Sequence, residues 1–280
     1  MDVNSLIVVS DTHCGCQFAL CPPKVKLDGG GYYGLSPLQQ HLWGWWNIFW
    51  DDWVPLVTRG EPYAVVANGD VMDHRHHNST TQISQNPADQ KKIAAMVWEP
   101  IVERAKGGFY LIRGTEAHSG PSSHNEETFA KDIGAIPDSG GNYARYDLNI
   151  RIGDAHCNIL HHIGTTGSQA YETTALQKEL TEAFTEAARW HDEPFDFVIR
   201  SHRHRYNEVT LATAKGYGKC LVTPGWQGKT PFVWRLAGAR MSRPQFGGIL
   251  VRHGDEEFYT RNRVWTLPRT QTETPSLVRN

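Results

Sequence analysis

At 280 residues the chain is long enough for one large domain or two modest ones, with a sizeable buried core. Hydrophobic residues make up 39% and charged residues 21%, which excludes a disordered chain, and a net charge of −2 leaves phosphate recognition to a local patch. No apolar run approaches the roughly 20 residues that span a bilayer, so no membrane partner is expected. The start, Met1-Asp2-Val3-Asn4, lacks the basic region of a secretion signal, and a cytoplasmic location is the expectation.

Leu6 to Ser10 is an apolar strand that ends in Asp11-Thr12-His13, a carboxylate and an imidazole two residues apart and able to grip one cation. From Cys14 to Pro62 the chain makes a detour, first a Gly- and Pro-rich loop over 14–35 that leaves the strand end directly and narrows access to it. Ser36-Pro37 then reads as an N-cap followed by proline at the first helical position. The helix beyond puts Leu38, Leu42, Trp45, Phe49, Trp53 and Leu56 on one stripe, with Trp43, Trp46 and Trp50 beside it. Five cysteines, at 14, 16, 21, 157 and 220, are an odd set without the paired spacing of a metal knot, and are expected to be reduced packing residues.

Tyr63 to Gly69 is a second buried strand, delivering Asp70 and, three residues on, Asp73. The run from His74 to Thr81 is polar and locally basic, and it follows directly on that turn, so Arg75 and His76 are candidate substrate-binding residues. A helix is expected over about 88–106, bent or interrupted at Pro100. Phe109 to Gly114 is the third strand and ends in Thr115-Glu116-Ala117-His118, with loop over 119–125 and a short helix over about 126–133. Tyr143 to Ile150 alternates as a strand turning at Gly153-Asp154, and its partner, 156–160, ends in His161-His162. A helix over about 170–190 precedes the strand 195–200, which delivers Ser201-His202-Arg203-His204. Strands with Gly- and Pro-containing turns fill the chain to about 266, and the tail from Pro268 is polar. No internal repeat or linker divides the chain, so a single domain over 1–267, with an insert at about 14–62, is expected.

Five strand ends thus carry Asp11 and His13, Asp70, Glu116 and His118, His161 and His162, and His202 and His204. Carboxylates and imidazoles without thiolates suit Mn, Fe, Zn or Ni. They are too many for one ion; two ions sharing Asp70, about 3.5–4 Å apart, would use them all.

The ordered set Asp11-Thr12-His13, Gly69-Asp70-Val71-Met72-Asp73, Gly114-Thr115-Glu116-Ala117-His118, His161-His162 and Ser201-His202-Arg203-His204 resembles the calcineurin-like metallophosphoesterase family. The resemblance covers about residues 6–204, and its substituted third motif is similar to phage-type and other prokaryotic members. It implies an α/β fold, a four-layer α-β-β-α sandwich of two mixed sheets flanked by helices. It also implies two divalent cations, manganese first and zinc, iron or nickel as alternatives. The first would be held by Asp11, His13, Asp70 and His204 and the second by Asp70, Glu116, His161 and His202, with Asp73 orienting a ligand. His118 takes the catalytic place, stabilising charge or protonating the leaving oxygen. The third motif lacks its usual Asn, a place Glu116 fills here with Thr115 as the alternative, and His162 is the alternative to His161. The activity implied is phosphoester hydrolysis by a metal-bridging hydroxide, on phosphodiesters of nucleotides or nucleic acid ahead of monoesters. A phosphomonoesterase acting on proteins or small molecules, or a non-catalytic metal-binding scaffold, are the alternatives. The oligomeric state is left open.

Overall fold

The computed structural model describes residues 3–76, 78–164, 169–236, 242–254, 257–268 and 272–274. His77 and most of the polar tail therefore lie outside the described residues.

Strand β1 (Ser5–Val9) is buried along its whole length, and its alternation shows why it reads as a continuous apolar run. Ile7 and Val9 enter a core shared with Leu42, Trp46, Phe49, Trp98 and Phe129 of the helices. Leu6 and Val8 enter a second core with Leu148, Cys157, Phe197 and Ile199. β4 (Ala64–Asn68) does the same, with Val65 and Ala67 towards the helices and Ala64 and Val66 towards the second core. A strand with an apolar layer on each face must lie inside a sandwich.

The remaining strands are β2 (Val25–Lys26), β3 (Tyr32–Tyr33), β5 (Phe109–Ile112), β6 (Ala144–Arg145), β7 (Leu148–Ile152), β8 (Ala155–Ile159), β9 (Phe197–Arg200), β10 (Asn207–Thr213), β11 (Gly216–Val222), β12 (Gln245–His253) and β13 (Phe258–Thr266). One sheet runs β13-β12-β1-β4-β5-β6, the other β10-β11-β9-β8-β7. β1, β4, β5 and β6 are mutually parallel, while β12 pairs antiparallel with β1 and β13 antiparallel with β12. In the second sheet β8, β9 and β11 are parallel, with β7 and β10 antiparallel at its edges.

Helices α1 (Pro37–Asn47), α2 (Val54–Thr58), α3 (Pro87–Arg104) and α5 (His124–Ile133) cover the first sheet, and α6 (Thr174–Trp190) covers the second through Leu176 and Leu180 against Val198, Cys220 and Val222. This is the four-layer order the resemblance implies. No helix among the described residues is long and apolar enough to cross a membrane.

Several elements depart from expectation for local reasons. Ser36 caps α1 as the sequence suggests, its hydroxyl accepting from Gln39 N–H at 3.2 Å while Gln39 Oε1 accepts from Ser36 N–H at 3.2 Å. Between α1 and α2, however, Ile48–Trp53 forms a π-helical segment. Its i→i+5 closure winds more loosely than an α-turn, so the apolar stripe is rotated at its far end. Leu56, placed on the stripe by spacing, is 73% exposed, and Val57 is buried instead. α3 runs through Pro100 as one helix. The expected strand 143–150 is two: β6 pairs with β5 in the first sheet, and after Tyr146-Asp147 β7 pairs with β8 in the second. Alternation alone does not reveal that the chain changes sheets there.

Candidate metal centre

Because β1 and β4 are parallel neighbours, their exit turns lie side by side and keep hydrogen-bonding beyond the strands. Asp11 N–H donates to the Gly69 carbonyl (3.0 Å), His13 N–H to Asp70 O (2.9 Å) and Cys14 N–H to Val71 O (2.8 Å). The third turn, after β5, approaches so closely that only glycine fits: a Cβ on Gly114 would lie 2.1 Å from Asp70 Oδ1 and 2.3 Å from Asp70 N. β8 and β9 of the other sheet deliver His161, His202 and His204 to the same end of the sandwich.

Asp11, His13, Asp70, His202 and His204 all have positive φ, between 40° and 73°. For residues with a Cβ this left-handed backbone is strained, and its concentration here marks a functional turn set. The side chains converge in overlapping groups whose ligand atoms lie within 4.8 Å of one another. One group is Asp11, Asp70, His161 and His202; a second is Asp11, His13 and His204; His13, Asp70 and His118 form a third, and Asp73, His76 and His118 a fourth.

The donor set fits a cation. Asp11 Oδ1 is buried without a hydrogen-bond partner, yet His204 Nε2 is 3.1 Å away, His13 Nε2 3.8 Å and His161 Nε2 3.9 Å. His13 Nε2 and His204 Nε2 face each other at 3.2 Å. A carboxylate oxygen ringed by imidazole nitrogens is satisfied either by added protons or by a shared ion. The outer contacts support the ion. His161 Nδ1–H donates to the Asn68 carbonyl (2.6 Å), which leaves Nε2, 3.1 Å from Asp70 Oδ2, as the nitrogen that would bind a cation once its proton is displaced. His204 Nδ1 faces the Gln227 carbonyl at 3.4 Å in the same manner.

Without an ion the charges hold one another. Burial opposes ionisation of Asp11 and Asp70, but His204 and His161 beside Asp11, and His161 and His202 beside Asp70, keep both carboxyls well below the usual range. Burial would likewise depress His13, but Asp11 and Asp73 hold it up at about 10. Burial also disfavours charge on His161, which Asp70 and Asp11 lift to about 9.

His118 differs: burial and the neighbouring His13 push it down to about 4. Its Nδ1–H donates to the Asp73 carbonyl (2.7 Å), so the neutral ring keeps a lone pair on Nε2. Asp73 is fully buried, accepts from Gln82 Nε2 (2.8 Å) and Gln227 Nε2 (3.2 Å), and stands 3.4 Å from His13 Nδ1. It orients the cluster from behind.

The expected residues fall into three sets. Asp11, His13, Asp70, His161, His202 and His204 come together, with His118 and His76 beside them, their rings 4.2 Å apart. His162 is exposed at the rim, its ring 5.2 Å from that of His161 and outside the groups. Glu116 is also outside them: it opens the short helix α4 (Glu116–Ser119) and points to solvent. Thr115 stands in its place, donating to Asp70 Oδ1 from N–H (2.7 Å) and Oγ1 (3.0 Å). The helical start at residue 116 turns the Glu116 side chain away from the strand-end direction. Arg75 is exposed on the turn after Asp73.

Two participants carry no motif. Glu126 on α5 is fully buried, and accepts from Val71 N–H (3.2 Å) and Gly114 N–H (2.6 Å), on either side of the Asp70 crossing. Its one sequence signal is an acid on the apolar face of a short helix. Gln227, reached through the turn after β11, touches both Asp73 and His204. The detour divides: residues 14–19 line the site's flank, with Gly228 N–H on the Phe18 carbonyl, whereas the β2–β3 hairpin docks on α3 through Asp28 N–H on Asp89 Oδ1 (2.7 Å).

No protein-family model and no curated protein matches the sequence. Among solved structures 39 chains match. Vacuolar protein sorting 29 from Cryptosporidium parvum is 10% identical over 95% of this chain and 100% of that one, with a TM-score of 0.37. A double mutant of Vps29 from Entamoeba histolytica is 11% identical over 93% and 99%, with a TM-score of 0.38. The sulfate thiohydrolase SoxB from Thermus thermophilus is 11% identical over 96% of this chain and 57% of that one, with a TM-score of 0.41. These are distant likenesses of chain path, and the chemistry rests on the residues themselves.

Proposed function

We propose that this protein is a metal-dependent phosphoesterase, with phosphodiesters as its preferred class of substrate. The observation that carries the reading is the Asp11 oxygen, buried, without a hydrogen-bond partner and ringed by the imidazoles of His13, His161 and His204. One divalent cation would take Asp11, His13 and His204, and the other Asp70, His161 and His202, the two carboxylates lying between the two groups. Such a pair supplies an activated water at neutral pH and offsets charge gathering on phosphoryl oxygens.

The chain's own part is to hold and orient. The Asn68 and Gln227 carbonyls fix the rings of His161 and His204, and Asp73 fixes His13 and His118. His118, with Nδ1–H committed to Asp73 O, presents Nε2 as an acceptor when neutral and as a donor to a leaving oxygen only once protonated. Thr115 fixes Asp70 from the third turn, whereas Glu116, expected as a ligand of the second cation, stands exposed outside the groups. Arg75 and His76 lie on the adjoining turn, where a phosphate oxygen would be met. Carboxylate and imidazole donors suit manganese, iron, zinc or nickel alike, and manganese is supplied first because the family resemblance puts it first.

The test is to strip the protein, reload it with manganese or zinc, and measure bound metal together with hydrolysis of bis-p-nitrophenyl phosphate and p-nitrophenyl phosphate. Two metals per chain and faster turnover of the diester are expected. Two metals with no turnover of either ester favour the scaffold reading, to which Thr115 in place of an amide lends some support. Faster turnover of the monoester makes the protein a phosphomonoesterase.

A further inference from the structure

Resting on the metal-dependent reading of this site, we infer that a buried hydrogen-bonded chain of Asn68, Ser201, Thr223 and Ser10 is the positioning device that holds ligands from the two sheets at ion-binding distance. Each proposed cation site straddles the sandwich. Asp11 and His13 leave β1 and Asp70 leaves β4, both in one sheet, whereas His161 leaves β8 and His202 and His204 leave β9, in the other. Whatever fixes the gap between the sheets just beneath these turns therefore fixes the ligand spacing, and a metal site tolerates errors of only about 0.2 Å.

The strand period puts these four residues at one level. Leu6 and Val8 of β1, Ala64 and Val66 of β4, Phe197 and Ile199 of β9, and Leu221 of β11 all enter the core between the sheets. Ser10, Asn68, Ser201 and Thr223 are each the next residue in that alternation, so they form a polar layer between the apolar core and the metal centre. All four are buried. They also adjoin the ligands directly: Asp11 follows Ser10, His202 follows Ser201, and the Asn68 carbonyl accepts from His161 Nδ1–H.

The bonds run one way. Asn68 Nδ2 donates across the sandwich to the Leu160 carbonyl (3.0 Å) and to Ser201 Oγ (2.6 Å). Thr223 Oγ1 lies 2.7 Å from Ser201 Oγ and 2.6 Å from Ser10 Oγ, and Ser10 Oγ donates to the Pro224 carbonyl (3.2 Å). Because Ser10 commits its proton to a carbonyl, Thr223 donates to Ser10 and Ser201 to Thr223, which leaves every hydroxyl with one bond given and one accepted. The chain thus crosses from the first sheet to the second at Asn68 and returns at Ser10. The apolar packing below it is non-directional and tolerates small slides of one sheet on the other; a fully satisfied hydrogen-bonded layer in a buried setting does not.

The experiment measures manganese affinity of the full chain by competition with a fluorescent chelator, with urea unfolding of the metal-free chain alongside. Thr223→Val keeps the shape and removes the hydroxyl; it is expected to stay folded and to bind manganese about tenfold or more weakly. Thr223→Ser, which keeps the hydroxyl, should bind as the wild type does. Ser10→Ala breaks the same bond from the other side and should weaken binding by a factor like that of Thr223→Val. Ile199→Val, apolar and one alternation deeper, should lower the urea midpoint and leave the affinity unchanged. Wild-type affinity in either Thr223→Val or Ser10→Ala, equal weakening in Thr223→Ser, or as much weakening in Ile199→Val overturns the inference, the last by making the loss a matter of packing at large. No arm needs an ester. Hydroxyl-dependent affinity without ester hydrolysis leaves the positioning chain standing and removes the phosphoesterase reading; hydrolysis without hydroxyl-dependent affinity does the reverse.

Discussion

Glu126 and Asp70 share one backbone crossing from opposite sides. Glu126 accepts the N–H groups of Val71 and Gly114, while Asp70 Oδ1 accepts the N–H of Thr115, so each carboxylate clasps the two turns that the other also touches. Burial and the charge of Asp70 push Glu126 up to about 7. Removing it by Glu126→Ala leaves two buried N–H groups without acceptors, at about 1–3 kcal/mol each. Urea unfolding of the metal-free protein should show a loss of about 2–6 kcal/mol, and Glu126→Gln, which keeps one acceptor oxygen, a smaller one. An unchanged midpoint for Glu126→Ala would mean the clasp is not structural.

Gly114→Ala tests the crossing from the other side. Its Cβ would sit 2.1 Å from Asp70 Oδ1, far inside contact distance, so either the third turn or Asp70 must move. Bound metal should fall to one equivalent or less while the circular dichroism spectrum stays close to wild type. Two bound metals in this variant would show that Asp70 has room to spare.

His118→Ala should leave both metals bound and slow diester turnover by about two to four orders of magnitude. The deficit should narrow with esters of good leaving groups, which need no proton. Loss of metal instead would place His118 with His13 and Asp70 as a ligand, a grouping the geometry also allows.

Metal uptake should depend on pH with a definite sign. In the metal-free protein His13 and His161 are held up at about 10 and about 9, so both carry protons at neutral pH that a metal must displace. Affinity should therefore rise with pH to about 9–10 and level off above, and calorimetry in buffers of different ionisation heat should record proton release at pH 7. The same raised values give the metal-free fold stability that is fully present below about 6.5 and lost as pH rises through 9 to 10. Uptake without proton release would mean that these rings are neutral before the metal arrives.

The sequence by itself determined what local rules govern. Apolar runs too short for helices and ending in Asp or His determined which strands exist and where their chemistry begins, because a strand's exit residue is fixed by where its hydrophobic run stops. Ser36-Pro37 determined the start of α1, because a cap is satisfied within four residues. The tertiary structure decided everything that depends on what lies opposite. It turned Glu116 outward and set Thr115 against Asp70, because a helical turn begins at residue 116. It buried His161 against Asp70 and left His162 exposed at the rim, because the chain turns after β8 ends at Ile159 and only the first of the pair is carried inward. The π-helical segment rotated the tryptophan stripe, and the change of sheet between β6 and β7 divided one apparent strand. Glu126 and Gln227 were decided there too, because a buried polar side chain takes its role from a partner tens of residues away, which no local pattern encodes.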